Sequence, residues 1–326
     1  MSPGRRMKRW VNWFFYAALA VALTSALAQE QHPKSDLIAK SNKFWDLIPK
    51  DAKLTRVATG MGFTEGPVWD PRGFLYVSDE ELNKIFRIFP DGRREEFLSI
   101  GDPDGNTYDE HHQLIDCASV LRAVIRIKEN GAYTVLADRF QGKKFNSPND
   151  VVGGPDGAFY FTDPTSNLPK GQKQELNYKG VFRLDPMGNL ILLTKELAEP
   201  NGIAFSPDGK KLYVDDSENR NIHVYDVQPN GSIRNGRIFG EEAGSKGDSV
   251  PDGMKVDRAG NLYVTGPQGI WVWDPDGHHL GTIVVPEQAA NLAWGDSDLR
   301  TLYITATTSV YRIKTNATGF VPYLAQ

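Results

Sequence analysis

Val151-Val152-Gly153-Gly154-Pro155-Asp156-Gly157-Ala158-Phe159-Tyr160-Phe161 holds an apolar start, a Gly/Pro/Asp turn and a second apolar, aromatic run. Proline presets φ for one corner of such a turn and glycine supplies the corner with φ > 0, so the segment reads as two tightly joined antiparallel strands. The same design stands upstream in Val68-Trp69-Asp70-Pro71-Arg72-Gly73-Phe74-Leu75-Tyr76-Val77 and, degraded, in Thr107 to Ile115. Downstream it recurs in Ile203 to Val214, in Met254-Lys255-Val256-Asp257-Arg258-Ala259-Gly260-Asn261-Leu262-Tyr263-Val264, and in Leu292 to Thr305. A third strand follows each copy, as in Lys84-Ile85-Phe86-Arg87-Ile88 and Gly180-Val181-Phe182-Arg183-Leu184, and several copies add a fourth, such as Tyr133-Thr134-Val135-Leu136-Ala137. Copies begin at Val68, Thr107, Val151, Ile203, Met254 and Leu292, a period of roughly 40 to 50 residues that suits the four-stranded blade of a propeller. The expected fold is therefore all-β: a six-bladed β-propeller of four-stranded antiparallel blades. A two-sheet sandwich would need no sixfold repetition. Lys53-Leu54-Thr55-Arg56-Val57-Ala58 is strand-like but has no blade of its own. It is expected to pair with the last blade, closing the ring and covering an open sheet edge.

Outside the repeats, Arg5, Arg6, Lys8 and Arg9 precede an apolar run from Trp13 to Leu23 and then Ala26-Leu27-Ala28. Basic, apolar and small-residue segments in that order make 1–28 a secretory signal peptide. The apolar run is shorter than the ~20 residues a spanning helix needs, so no stable membrane span is expected in the mature chain. A polar leader follows over 29–43, then the propeller domain over 44–326. The one candidate helix lies in 35–47. An exported protein, periplasmic or secreted, is the consequence. Cys117 is the only cysteine, so no intrachain disulfide can form and stability must come from core burial. A net charge of −4 offers no basic surface to nucleic acid, and no obligate protein partner is evident.

In a propeller, the first strand of each blade lines the central channel. Just ahead of the blade starts lie Glu65, Asp104, Asn149, Asn201, Asp252 and Asn291. Glycine or proline flanks the polar residue in Glu65-Gly66-Pro67, Ser147-Pro148-Asn149, Pro200-Asn201-Gly202 and Pro251-Asp252-Gly253. One Asn-Gly or Asp-Gly pair is an ordinary turn signal; four in equivalent register point to a shared site. Carboxylate and amide oxygens are hard donors suited to Ca²⁺, Mg²⁺ or Mn²⁺. Two carboxylates balance one divalent charge, and two neutral amides complete the coordination. Zn²⁺ fits less well without His or Cys. One divalent ion, calcium foremost, is the cofactor expected. The histidines fall in the leader, in turns or on an outer strand, and no serine stands in a nucleophile setting.

Phe63-Thr64-Glu65-Gly66-Pro67-Val68-Trp69, Asn146-Ser147-Pro148-Asn149-Asp150-Val151, Pro200-Asn201-Gly202 and Pro251-Asp252-Gly253-Met254 resemble the senescence-marker-protein/gluconolactonase/luciferin-regenerating-enzyme-like family, bacterial gluconolactonases most of all. The resemblance implies a six-bladed propeller that hydrolyses small sugar lactones, a metal held by Glu65, Asn149, Asn201 and Asp252, and Asp252 as catalytic acid/base. Asp104, Ser147, Asp150 and Asp163 are then the candidates for substrate contacts, Ser147 standing where some members place an arginine. Two rivals share these residues: a phosphotriesterase of the diisopropyl-fluorophosphatase kind, and a non-enzymatic propeller that uses its metal structurally.

Overall fold

The computed structural model describes residues 37–244 and 249–324; the stretch 1–28 read as a signal peptide, and the expected leader up to residue 36, lie outside the described residues. Among the described residues six antiparallel blade sheets follow one another along the chain, each meandering from an inner to an outer strand, with a small two-stranded ribbon, Arg139–Phe140 with Lys143–Lys144, between the second and third. The inner strands are Thr64–Asp70, Pro103–Tyr108, Val151–Gly153, Pro200–Phe205, Met254–Val256 and Ala289–Gly295. Each neighbours the next, and the sixth neighbours the first, so the ring is closed around a central channel. The six-bladed propeller read from the repeat is the fold observed.

Packing between blades follows from alternation along the second strands. Tyr76, Tyr160, Tyr213, Tyr263 and Tyr303 recur at one register position, each opposite the inner-strand residue that lines the channel. All five are buried, and four of the rings pack edge-on or stacked against aromatic residues of the next blade: Tyr76 on Tyr108, Tyr160 on Phe205, Tyr263 on Trp294, and Tyr303 on Trp69. Large aromatic side chains bury the most apolar surface per residue, and these pair geometries add to that gain.

Three tethers reinforce the ring. Thr55–Thr59 pairs antiparallel with Ser309–Lys314, so the last blade takes its outer strand from the start of the chain as expected. The second was not legible. Leu37–Ala39, inside the segment read as a polar leader, pairs with His279–Val284 and gives the fifth blade a fifth strand. The helix after this strand is a single turn, Lys43–Leu47, rather than one reaching back to residue 35. It seats Phe44 in the core beside Ile48, both fully buried. The third tether is the C-terminal tail. Phe320 N donates to Val256 O (3.0 Å), and Tyr323 Oη donates to Trp69 O (2.7 Å). The tail thus runs from the fifth blade to the first across the channel floor. A cavity of about 50 Å³ above it is walled by Val68, Val152, Ala204 and Ala293.

Candidate metal centre

Register fixes which side chains share a level of the channel. Gly105 N donates to Asn149 O (2.8 Å) and Gly253 N to Ala290 O (2.7 Å), the same contact between different pairs of blades. Glu65, Asp104, Asn149, Asn201, Asp252 and Ala290 therefore form the uppermost ring. Asn291, read from sequence as a member, lies one residue deeper, paired with Thr305 as Asp150 is with Thr162. The cause is a sixth copy in which the polar residue directly precedes the apolar start, while the other copies leave one or two residues between.

The second ring explains the recurring glycines. Its members are Gly66, Gly105, Asp150, Gly202, Gly253 and Asn291. A Cβ on Gly66 would lie 2.0 Å from Asp104 O, on Gly202 1.9 Å from Asp252 O, and on Gly253 2.1 Å from Asn291 Cγ. Each glycine lets the next blade's channel residue approach, so polar-Gly is a close-packing device between blades as well as a turn signal.

Second-strand side chains hold the rings in place. Thr162 Oγ1 accepts from Asp150 N (3.1 Å), Thr265 Oγ1 from Asp252 N (3.1 Å), Thr305 Oγ1 from Asn291 N (3.1 Å) and Asp215 Oδ1 from Gly202 N (3.2 Å). One residue further on, an aspartate clamps the loop leading into its own blade. Asp79 accepts from Gly62 N and Phe63 N, Asp163 from Asn146 N, and Asp216 from Ala198 N and Glu199 N. Two candidates for substrate contact thereby take another place. Asp163 is fully buried on that loop, and Ser147, equally buried, donates its hydroxyl to Pro164 O (3.0 Å). Both position the loop that carries Asn149.

The remaining predicted residues do converge. Asn149 Nδ2 donates to Asp104 Oδ2 (2.7 Å), and Asn291 Nδ2 to Glu65 Oε2 (2.9 Å). The Asn201 amide lies near Asp252 and favours its ionised form. With its NH₂ group committed to Asp104, Asn149 is left with Oδ1 as its donor atom toward a cation, and Asn201 offers the same amide oxygen one blade on. Glu65 Oε1 is buried and has no partner. Asp150 turns back on the scaffold, accepting from Val151 N (2.9 Å) and Ile203 N (3.4 Å). Two groups escaped the sequence reading because they lie on loops outside the repeat. Asn167 Nδ2 donates to Asp104 Oδ2 (3.0 Å), bringing the loop after the third blade's second strand over the mouth, and Glu80 feels the charges of Glu65 and Asp102 and the Asn167 amide.

Electrostatics shows what the site lacks. Burial pushes Glu65 up to about 7. Burial, followed by the charge of Glu65, pushes Glu80 up to about 9. Asp104 and Asp252 rise well above the ordinary carboxylate range, again through burial first and then through neighbouring carboxylates. Desolvated like charges disfavour ionisation in this way unless a cation joins them. An unpartnered carboxylate oxygen, two free amide oxygens and a surplus of buried negative charge fit a hard divalent cation. Glu65, Asn149, Asn201 and Asp252 are the residues that would hold it. A separate acidic group, Asp274, Asp276 and His278, lies in an exposed turn of the fifth blade away from this site.

Residues 63–308 match the family described as the SMP-30/gluconolactonase/LRE-like region, a span that includes the whole upper ring. The chain belongs to this family. The chain is 33% identical to the gluconolactonase of Zymomonas mobilis over an alignment covering 93% of each protein. It is 37% identical to the L-arabinolactonase of Azospirillum brasilense over 74% of this chain and 80% of that one. Among solved structures, a gluconolactonase from Xanthomonas campestris superposes with a TM-score of 0.80 at 31% identity, covering 86% of this chain and 96% of that one. Family membership agrees with the blade count and with the resemblance carried by the four channel motifs. Among the described residues no helix is long and apolar enough to cross a membrane.

Proposed function

We propose that this protein is a metal-dependent lactonase acting on small sugar lactones. The observation that carries this reading is the convergence of Glu65, Asn149, Asn201 and Asp252 from four blades onto one channel mouth, in a chain similar to several lactonases. Calcium is the ion the all-oxygen donor set favours. When bound, the ion supplies Lewis acidity toward the lactone carbonyl and the charge that builds there. In this reading Asp252 takes the proton from the attacking water and returns it to the ring oxygen as the C–O bond breaks. The neighbouring Asn201 amide favours the ionised form of the Asp252 carboxylate. Asp104 holds Asn149 and Asn167 together at the rim, so it shapes the opening through which a lactone reaches Asp252.

The test is turnover of glucono-δ-lactone, followed by acid release, in the calcium-loaded protein and in Asp252→Asn. General acid–base catalysis contributes typically 10²–10⁴-fold, and a loss of about that size is expected with bound calcium retained. Undiminished turnover in Asp252→Asn would remove its assigned role. An organophosphate hydrolysed in place of any lactone would favour the phosphotriesterase reading, to which a 23% identical relative, the diisopropyl-fluorophosphatase of Loligo vulgaris, lends its name. We further infer export from the basic, apolar and small-residue order of residues 1–28. A mature protein beginning near Gln29 in the periplasmic or culture fraction is expected; an intact N-terminus in the cytosol would contradict it.

A further inference from the structure

The residue three positions after each member of the upper ring lines the channel below it. In register these are Val68, Thr107, Val152, Ala204, Lys255 and Ala293. Five carry no charge. Lys255 Nζ donates to Met254 O (2.9 Å) and to Asn291 Oδ1 (3.2 Å). Its charge also acts on the carboxylates of Glu65 and Asp150. Asp150 and Asn291 are in turn the only side chains in a ring that is otherwise glycine. The ammonium is thus held by an amide oxygen and a backbone carbonyl, with the Asp150 carboxylate near enough to feel its charge, and all three are donor types that bind a hard metal cation. It stands beside the small cavity over the C-terminal tail, where there is room for water.

We propose that the Lys255 ammonium is a built-in cation of the central channel, holding the position beneath the upper ring so that the protein binds one exchangeable divalent ion there and no second one below it. The proposal rests on the reading of the upper ring as the site of a single ion. A tethered cation costs no binding equilibrium, and a single positive charge repels the ion above it half as strongly as a second divalent ion at the same distance would. It also keeps Asn291 oriented. With Oδ1 accepting from Lys255 and from Leu292 N, the NH₂ group of Asn291 is directed at Glu65 Oε2. Lys255 is therefore a positioning residue for a metal-binding carboxylate, acting through Asn291.

Removing the charge should convert the Asp150–Asn291–Met254 carbonyl group into a second cation site. Calcium stoichiometry after dialysis, by elemental analysis and calorimetric titration, is compared in wild type, Lys255→Ala, Lys255→Gln and Lys255→Gln/Asp150→Asn. Each single variant is expected to bind one calcium more than wild type, and the double variant to lose that extra ion. The melting temperature of each single variant should keep rising with calcium over a range in which wild type is already saturated. Equal stoichiometry in wild type and Lys255→Gln, a substitution that keeps a polar side chain at this position, overturns the proposal. Wild type without bound calcium would fail the single-ion reading instead. The two are separable because the proposal is read from the difference between variant and wild type.

Discussion

At the scale of single residues, the site is built by what its neighbours refrain from placing there. Gly202 separates Asn201 from the apolar strand start, and a methyl group at that position would meet the Asp252 carbonyl at 1.9 Å. Backbone cannot give way as a flexible side chain does, so Gly202→Ala must push the fourth and fifth blades apart. Overpacking of this kind costs typically 1–3 kcal/mol. We expect Gly202→Ala to lose about 2 kcal/mol in urea unfolding and to weaken calcium binding, because Asn201 and Asp252 move with their strands. Gly153→Ala is the control. It also lies on an inner strand, but its nearest neighbour would be 3.9 Å away. A stability change in Gly153→Ala as large as that in Gly202→Ala would show that the effect comes from the strand backbone and not from contact between blades. Sequence revealed these positions only in part. Pro200-Asn201-Gly202 and Pro251-Asp252-Gly253 announced themselves as motifs, whereas Lys255 and Asn291 gave no sign of their shared role. A single lysine in a strand reads as a solvent-facing residue, and only ring closure shows that it points inward.

At the scale of elements, the blades were legible and two of the three tethers were not, for a physical reason. A blade repeats, so six weak copies reinforce one reading; a tether occurs once. Thr55–Thr59 was recognisable because an orphan strand ahead of a ring has an obvious partner. Leu37–Ala39 is only three residues long, and its pairing with the fifth blade is fixed mainly by the helical turn next to it in the chain. Phe44 and Ile48 anchor it in the cluster that joins the fifth, sixth and first blades. Truncating a buried Phe to Ala costs typically 3–5 kcal/mol, so Phe44→Ala should destabilise the whole ring. It should also accelerate amide hydrogen exchange first along Leu37–Ala39 and His279–Val284. Exchange that rises evenly over all six blades would mean that the tether and the ring unfold as one unit. The loops show the same contrast. Asn167 reaches Asp104 from a connection that has no counterpart in the other blades, so no internal comparison could single it out.

At the scale of the whole molecule, the propeller concentrates negative charge where its six inner strands meet, and this makes stability depend on pH and on metal. Glu80 is held near 9 and Asp163 near 8, both mainly by burial, against ordinary values of 4.5 and 3.8. Over the interval from about 4 to 9 the metal-free native state therefore holds protons that the unfolded chain has released. Stability falls with rising pH wherever the folded state binds more protons. The metal-free protein, prepared with a chelator, should accordingly be most stable on the acid side of this interval and lose stability steadily toward pH 9. This is opposite to the trend of a protein held by ionised carboxylates. A divalent ion at the upper ring favours the charged forms of Glu65, Asp104 and Asp252 and offsets part of the repulsion on Glu80. It also stabilises by mass action, by about 2.7 kcal/mol at a hundredfold excess over its dissociation constant. Calcium should thus raise the melting temperature more at pH 8 than at pH 5, which differential scanning calorimetry at both pH values with and without chelator would measure. A calcium effect equal at the two values would place the ion away from these carboxylates, because only a site inside the buried cluster couples metal binding to its protons.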